Sequence, residues 1–299
     1  MTTRRVLPIR GVLLHLTHYD PVWFAAKAKE KPFDLATGLD AIDAMAEAGF
    51  NLLVIDCADG VRYKSHPEFA RHYSSPMSVL RRLVARAEKR GIEVVPKLNF
   101  ARSGMHHHND WLQLTRVEHD TPEYWKSAFE VVDELIREVF TRHSLGGGGR
   151  PKRFFHVGMD EDHDRSTRQY VEAIRTLRKG LKARGLRTII WNDSACLWPS
   201  AEVHREKSLL AEKKIPKDVV QVLWDYFDAD PKGFRRLARE GFEVWGAPAP
   251  GKPDGVARMR DRLLAAGGTG ILLTRWKPTL RESRREILDW ISSCGPLCR

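Results

Sequence analysis

A single (β/α)8 barrel, the TIM-barrel form of the α/β class, is the fold that this sequence predicts. Three observations carry that expectation. Short β-branched or apolar runs alternate eight times with longer segments of helical period. The chain has 299 residues and one such barrel takes about 250, so residues 1–299 read as one unit with no segment left for a second domain. A doubly wound open sheet would carry a G-x-G-x-x-G fingerprint after its first strand, and none follows here.

The elements follow in order. RGVLLHL (10–16) is the first strand, and DLATGLDAIDAMAEAG repeats its apolar residues at helical spacing. NLLVIDC (51–57) precedes the helix SPMSVLRRLVARAEKRG, and EVVPKLN (93–99) precedes TPEYWKSAFEVVDELIREVF. RFFHVG (153–158) is followed by STRQYVEAIRTLRKGLKARG, and RTIIW (187–191) by a weaker helical pattern in AEVHREKSLLAEKK. VVQVLW (219–224) leads to DPKGFRRLAREG, FEVWG (242–246) to DGVARMRDRLLAAG, and GILLTRW (270–276) to LRESRREILDWIS. Several helices have Ser, Thr or Asp just before them, as an N-cap requires. Gly49, Gly91, Gly185, Gly241 and Gly267 or Gly268 fall between a helix and the next strand, where a C-cap belongs.

Composition narrows the function classes. The hydrophobic fraction of 42% suffices for a core. The formal charge of +11 would suit an acidic partner, but Lys and Arg are scattered along amphipathic segments. No zinc-finger, RNA-recognition or basic-helix signature accompanies them, so nucleic acid is not the expected partner. Cys57, Cys196, Cys294 and Cys298 are too few for a disulfide scaffold and read as thiols of a reducing compartment, with local pairing in CGPLC left open. The apolar start is interrupted by Pro8 and Arg10, which reads as a strand and not as a signal peptide. No run approaches the roughly 20 apolar residues of a membrane span. The expectation is a soluble, cytoplasmic protein. SLGGGGRP (144–151) precedes a strand and reads as a loop on the bottom face.

Barrel enzymes keep their chemistry at the C-terminal ends of strands. His15, His18, Asp56, Asp59, Lys97, Asn99, His156, Asp160, Glu161, Asn192, Asp193, Asp225 and Tyr226 fall there. Of 9 tryptophans, Trp191, Trp224, Trp245 and Trp276 do as well. Indole rings beside carboxylates and amides suit a sugar, because the ring covers the apolar face of a pyranose while polar groups fix its hydroxyls. The stretch FFHVGMDEDH places Asp160 and Glu161 side by side. Adjacent strand-end residues point to different sides, a poor arrangement for a facing acid and nucleophile, although two close carboxylates raise one pKa.

The motif HVGMDE (His156 to Glu161) resembles the His-x-Gly-Gly-Asp-Glu of glycoside hydrolase family 20, the β-N-acetylhexosaminidases. GVLLHLTHYD, ADGVRYKSHPEF, IEVVPKLNF and RTIIWND extend the likeness over the whole barrel. The resemblance implies substrate-assisted, retaining hydrolysis of a terminal N-acetylhexosamine, with no cofactor and no metal. Glu161 would be the general acid and then base, and Asp160 would orient the 2-acetamido group that attacks the anomeric carbon. His18, Asp59, Asn99, His156, Trp191, Asp193, Trp224, Tyr226 and Trp276 are the expected substrate-binding residues.

The likeness also has departures. His18 stands where the family has an Arg, Lys97 where it has a Glu after Pro96, and Met159 where it has a second Gly. Lys97, Arg102, Arg275 and Lys277 would make the mouth electropositive and suit an anionic sugar. Asp162, His163 and Asp164 read as helix-start or rim residues. Two other readings stay open: a non-catalytic carbohydrate-binding barrel, and a metal-dependent sugar isomerase or hydrolase drawing on His106, His107 and His108. Oligomeric state is not legible.

Overall fold

The protein is described by a computed structural model over residues 6–16, 30–103, 118–140, 153–226 and 231–299, the side chain of Ser200 aside. Eight parallel strands close into a barrel. They are β1 (Ile9–His15), β2 (Leu52–Asp56), β3 (Glu93–Lys97), β4 (Phe154–His156), β5 (Arg187–Asn192), β6 (Val220–Asp225), β7 (Val244–Pro248) and β8 (Gly270–Leu273). Each pairs with its sequence neighbours, and β1 closes on β8 with Ile9 opposite Gly270. One helix follows each strand: α1 (Leu35–Ala48), α2 (Met77–Lys89), α3 (Pro122–Val139), α4 (Thr167–Ala183), α5 (Glu202–Glu212), α6 (Pro231–Arg239), α7 (Pro253–Ala266) and α8 (Arg284–Cys294). The predicted α/β barrel is the observed fold.

Local chemistry sets the ends of these elements. Asp34 caps α1 by accepting from the Thr37 amide, and Thr121 does the same for Tyr124 at the start of α3. Ser166 and Gln169 exchange bonds in a capping box that opens α4. Several strand boundaries differ from the sequence reading, and β3 and β4 each end two residues early, at Lys97 and His156. β7 starts at Val244, two residues late, because the Phe242 amide still donates to Leu237 at the end of α6. Trp245 therefore lies near the start of β7, packed on Phe154 deep in the barrel and not at its mouth. β8 stops at Leu273, which leaves Arg275 and Trp276 in the loop above. A short parallel pair, Val61–Arg62 with Ser75–Pro76, lies between β2 and α2, where periodicity gave no signal.

The core has two layers, as the period of 2 dictates for a sheet covered on both faces. Leu13, Val54, Val95, Phe154, Ile189, Val222 and Leu272 fill the barrel, while Leu53, Ile55, Val94, Phe155, Ile190 and Leu273 meet the helices. The four cysteines are buried thiols, so CGPLC holds no disulfide. Among the described residues, no helix is long and apolar enough to cross a membrane.

Candidate active site

Inward parity carries a polar row to the top of the barrel. His15, Asp56, Lys97 and His156 are register partners on β1 to β4, all buried. Lys97 Nζ donates to Asp56 Oδ2 at 2.7 Å, and His15 Nδ1 lies 3.3 Å from the same oxygen. Burial alone would raise the Asp56 pKa, but Lys97 and His15 hold it below the usual carboxylate range. His156 accepts the Gly158 amide on Nδ1 at 3.0 Å. Burial, aided by Lys97, lowers its pKa to about 3, so the ring is neutral.

Above this row the chain turns sharply after β4. Gly158, Met159 and Glu161 all have left-handed backbone, with φ of 69°, 76° and 51°. Gly158 is required twice over, because a Cβ there would also lie 2.1 Å from Asn99 Oδ1. A left-handed residue other than Gly costs about 1–2 kcal/mol, so Met159 and Glu161 are held by their surroundings. Asn99 Oδ1 accepts the Met159 amide at 3.1 Å, and Tyr170 donates its hydroxyl to the Met159 carbonyl at 3.0 Å. The Met159 side chain is fully buried in the outer core, which offsets the cost. Asn99 Nδ2 also donates to Asp160 Oδ1 at 2.7 Å.

The turn brings both carboxylates to one cavity of about 250 Å³, lined by Asp160, Glu161, Trp191, Trp198, Trp224, Tyr226 and Trp276. The simple alternation expected of adjacent strand-end residues fails here because Glu161 is left-handed. Burial first, and the neighbouring Asp160 second, raise the Glu161 pKa from 4.5 to about 8. The rings are tied in place. Trp224 Nε1 donates to Asp193 Oδ1 at 2.7 Å, and Trp276 Nε1 donates to the Tyr226 hydroxyl. Ring centroids are 5.1 Å apart for Trp198 and Trp224, and 5.1 Å for Trp224 and Tyr226. Such a site holds a protonated carboxyl beside a second carboxyl, against flat apolar walls.

Of the expected site residues, Asp160, Glu161, Trp191, Trp224, Tyr226 and Trp276 meet in this cavity. Asn99, His156 and Asp193 stand behind it as supports. Asp193 is 1% exposed and spends both oxygens on the Glu161 amide and the Trp224 indole. Burial and the Asp160 charge push its pKa well above the carboxylate range against those two donors. Asp59 is outside the cavity lining: it accepts the Tyr73 hydroxyl at 2.6 Å and lies 3.6 Å from Arg71. His18, His106, His107, His108 and the glycine-rich 144–151 stretch lie outside the described residues.

The four cations expected at the mouth do not line the cavity. Lys97 is locked onto Asp56 below the cavity, Arg275 pairs with Glu286 on α8, and Lys277 joins Arg275 in a separate cleft beside that helix. Arg102 is absent from the lining, which among the described residues contains no cation. Of the two readings of Asp162, the structure favours the helix start: it is 1% exposed, so it is not at the rim, and its Oδ1 accepts the Arg165 amide just before α4. Trp198 escaped the sequence reading because it lies beyond a strand end; its position just before Pro199 in the loop after β5 was the available signal. No group of three His, Cys, Asp or Glu side chains among the described residues could hold a metal ion.

No family-wide sequence model matches this chain, nor does any curated protein sequence. Solved structures do. A GH20 exo β-N-acetylglucosaminidase from Vibrio harveyi, solved with N-acetylglucosamine, superposes with a TM-score of 0.63 at 14% identity, over 98% of this chain and 54% of that one. The GH20 β-N-acetylhexosaminidase of Streptomyces coelicolor A3(2) gives 0.67 at 15% identity, covering 98% and 65%. Dispersin B gives 0.59 at 14%, covering 97% and 98%. The chain thus spans about half the length of the Vibrio protein and nearly all of Dispersin B. What these likenesses establish is the fold: this chain is a (β/α)8 barrel of the same architecture as those three proteins.

Proposed function

We propose that this chain is a retaining glycoside hydrolase of the β-N-acetylhexosaminidase type, acting on a terminal 2-acetamido sugar. One observation carries the reading: Asp160 and Glu161, adjacent in sequence, enter one aromatic-walled cavity, with the Glu161 pKa raised to about 8. A protonated Glu161 donates to the glycosidic oxygen as the bond to the anomeric carbon breaks. Asp160, oriented by Asn99, holds the acetamido N–H so that the acetamido oxygen attacks that carbon. Glu161, now ionised, then takes a proton from the water that opens the cyclic intermediate. The cavity's volume of about 250 Å³ suits one sugar ring, which favours attack at a chain end.

The test is a panel of chromogenic N-acetylglucosaminides and N-acetylgalactosaminides beside glucosides lacking the acetamide. Hydrolysis restricted to the acetamido sugars is the expected result. Equal turnover of the glucosides would remove substrate assistance, and no turnover anywhere would favour a non-catalytic sugar-binding barrel.

A further inference from the structure

Asp162, the residue after the pair, is the hub of a buried ionic clamp. Its Oδ1 accepts the Arg165 amide at 3.1 Å and Lys207 Nζ at 3.0 Å. Its Oδ2 accepts the Arg102 amide at 2.9 Å and Arg165 Nη1 at 2.7 Å, and its carbonyl accepts Lys207 Nζ again. Arg165 Nη1 also donates to the Phe100 carbonyl at 2.8 Å, while Nε and Nη2 grip both oxygens of Asp120 at 2.8 Å each. Arg165 and Lys207 are 2% and 5% exposed. One carboxylate therefore joins the loop after β3, the turn after β4 and helix α5.

Such a clamp is costly unless its geometry is enforced, because a buried ion pair repays desolvation only with good partners. It lies one residue beyond Glu161, whose left-handed backbone must be imposed from outside. Upstream, Asn99 and Tyr170 hold Met159. Downstream, the Glu161 amide donates to Asp193 and the amides of His163 and Asp164 donate to the Arg102 carbonyl, and between these anchors Asp162 is the side chain that ties the turn to both the β3 loop and α5.

We infer that Asp162 is a positioning residue, and that its clamp with Arg165 and Lys207 holds the backbone from which the Glu161 carboxyl enters the cavity. The role rests on the proposed use of Glu161 as the acid. Among the described residues, the titratable groups that act on Glu161 or feel its charge include Asp160 on its own turn, Asp193 and Cys196 beyond β5, and Tyr226 beyond β6. The clamp sets Arg165 and Lys207 against Asp162 and Asp120, two charges of each sign, so removing one member leaves a net charge beside the turn.

The test compares wild type with Asp162→Asn and Lys207→Met, using readouts with and without turnover. Asp162→Asn removes one negative charge and leaves both cations. It should lower kcat roughly tenfold to a hundredfold with KM within about twofold, since a small misplacement of a reacting group costs that much. Carboxyl-carbon NMR should show the Glu161 titration moving down, and hydrogen exchange at the Glu161 amide should quicken. Lys207→Met removes a cation, so the same titration should move up, and it provides the readout if Asp162→Asn does not fold. Loss of thermal stability in both variants, with Glu161 titration and amide exchange as in wild type, overturns the positioning role. So does a shift of both titrations in one direction, the mark of a merely loosened loop. If wild type hydrolyses none of the glycosides, the proposed reaction falls, while titration and exchange still decide what the clamp does.

Discussion

The amide of Glu161 donates to Oδ2 of Asp193 at 2.8 Å, while Oδ1 of the same carboxylate receives the indole N–H of Trp224. A single buried side chain therefore sets the distance between the proposed acid and one wall of the cavity. Asp193→Asn offers one acceptor where two are used and leaves a buried donor unpaired. The expected loss is about 1–3 kcal/mol of stability, read by denaturant unfolding, together with a lower kcat. An unchanged unfolding midpoint would show that Asp193 does not carry this load.

Glu161→Gln should abolish turnover while a product sugar still binds. Its effect on stability follows from the sign of the shift. The folded pKa of about 8 lies above the ordinary 4.5, so folding disfavours ionisation. Wild type therefore loses stability as pH rises from about 4.5 to about 8. Glu161→Gln escapes that loss, so its advantage in thermal melting should be small at pH 4.5 and largest near pH 8. For wild-type activity, the limb governed by the acid should fall as pH rises through about 8.

Met159 offers a comparison of opposite sign to the usual one. Alanine normally outperforms glycine within ordered backbone, but at a φ of 76° the alanine Cβ is strained. Met159→Ala and Met159→Gly both lose a buried side chain, and the glycine variant should be the more stable by about 1 kcal/mol. The reverse order in calorimetry would mean that the turn relaxes once the methionine is gone.

Lys97→Met should destabilise by about 3–5 kcal/mol, because it leaves Asp56 buried with only His15 near its charge. It should not change the preference between a neutral and a sulfated N-acetylglucosaminide, since Lys97 lies below the cavity. Wild type should favour the neutral one. A clear preference for the sulfated sugar would restore the electropositive mouth.

Much of this fold was legible because periods of 2 and 3.6 are local. Strand and helix alternate visibly, and HVGMDE falls where a strand must end. The inward parity that buries Val54 and Val95 also points Asp56 and Lys97 into the barrel. What parity cannot give is the partner. Lys97 read as a mouth cation because its carboxylate is 41 residues away on the neighbouring strand. The clamp of Asp162 was illegible for the same reason: Lys207, its partner, lies 45 residues on. Beyond the strand ends the pattern stops, which is why Trp198 was missed and why the place of Asp59, outside the cavity lining, was not legible. The left-handed Glu161 was also beyond reach, since only its surroundings impose that backbone.

Four of the chain's 9 tryptophans, Trp191, Trp198, Trp224 and Trp276, line one cavity beside two carboxyl groups. Their emission responds to the charge and water around the indole, so the site reports its own occupancy. A ligand titration needs no label, and ionisation of Glu161 near pH 8 should register in the same light.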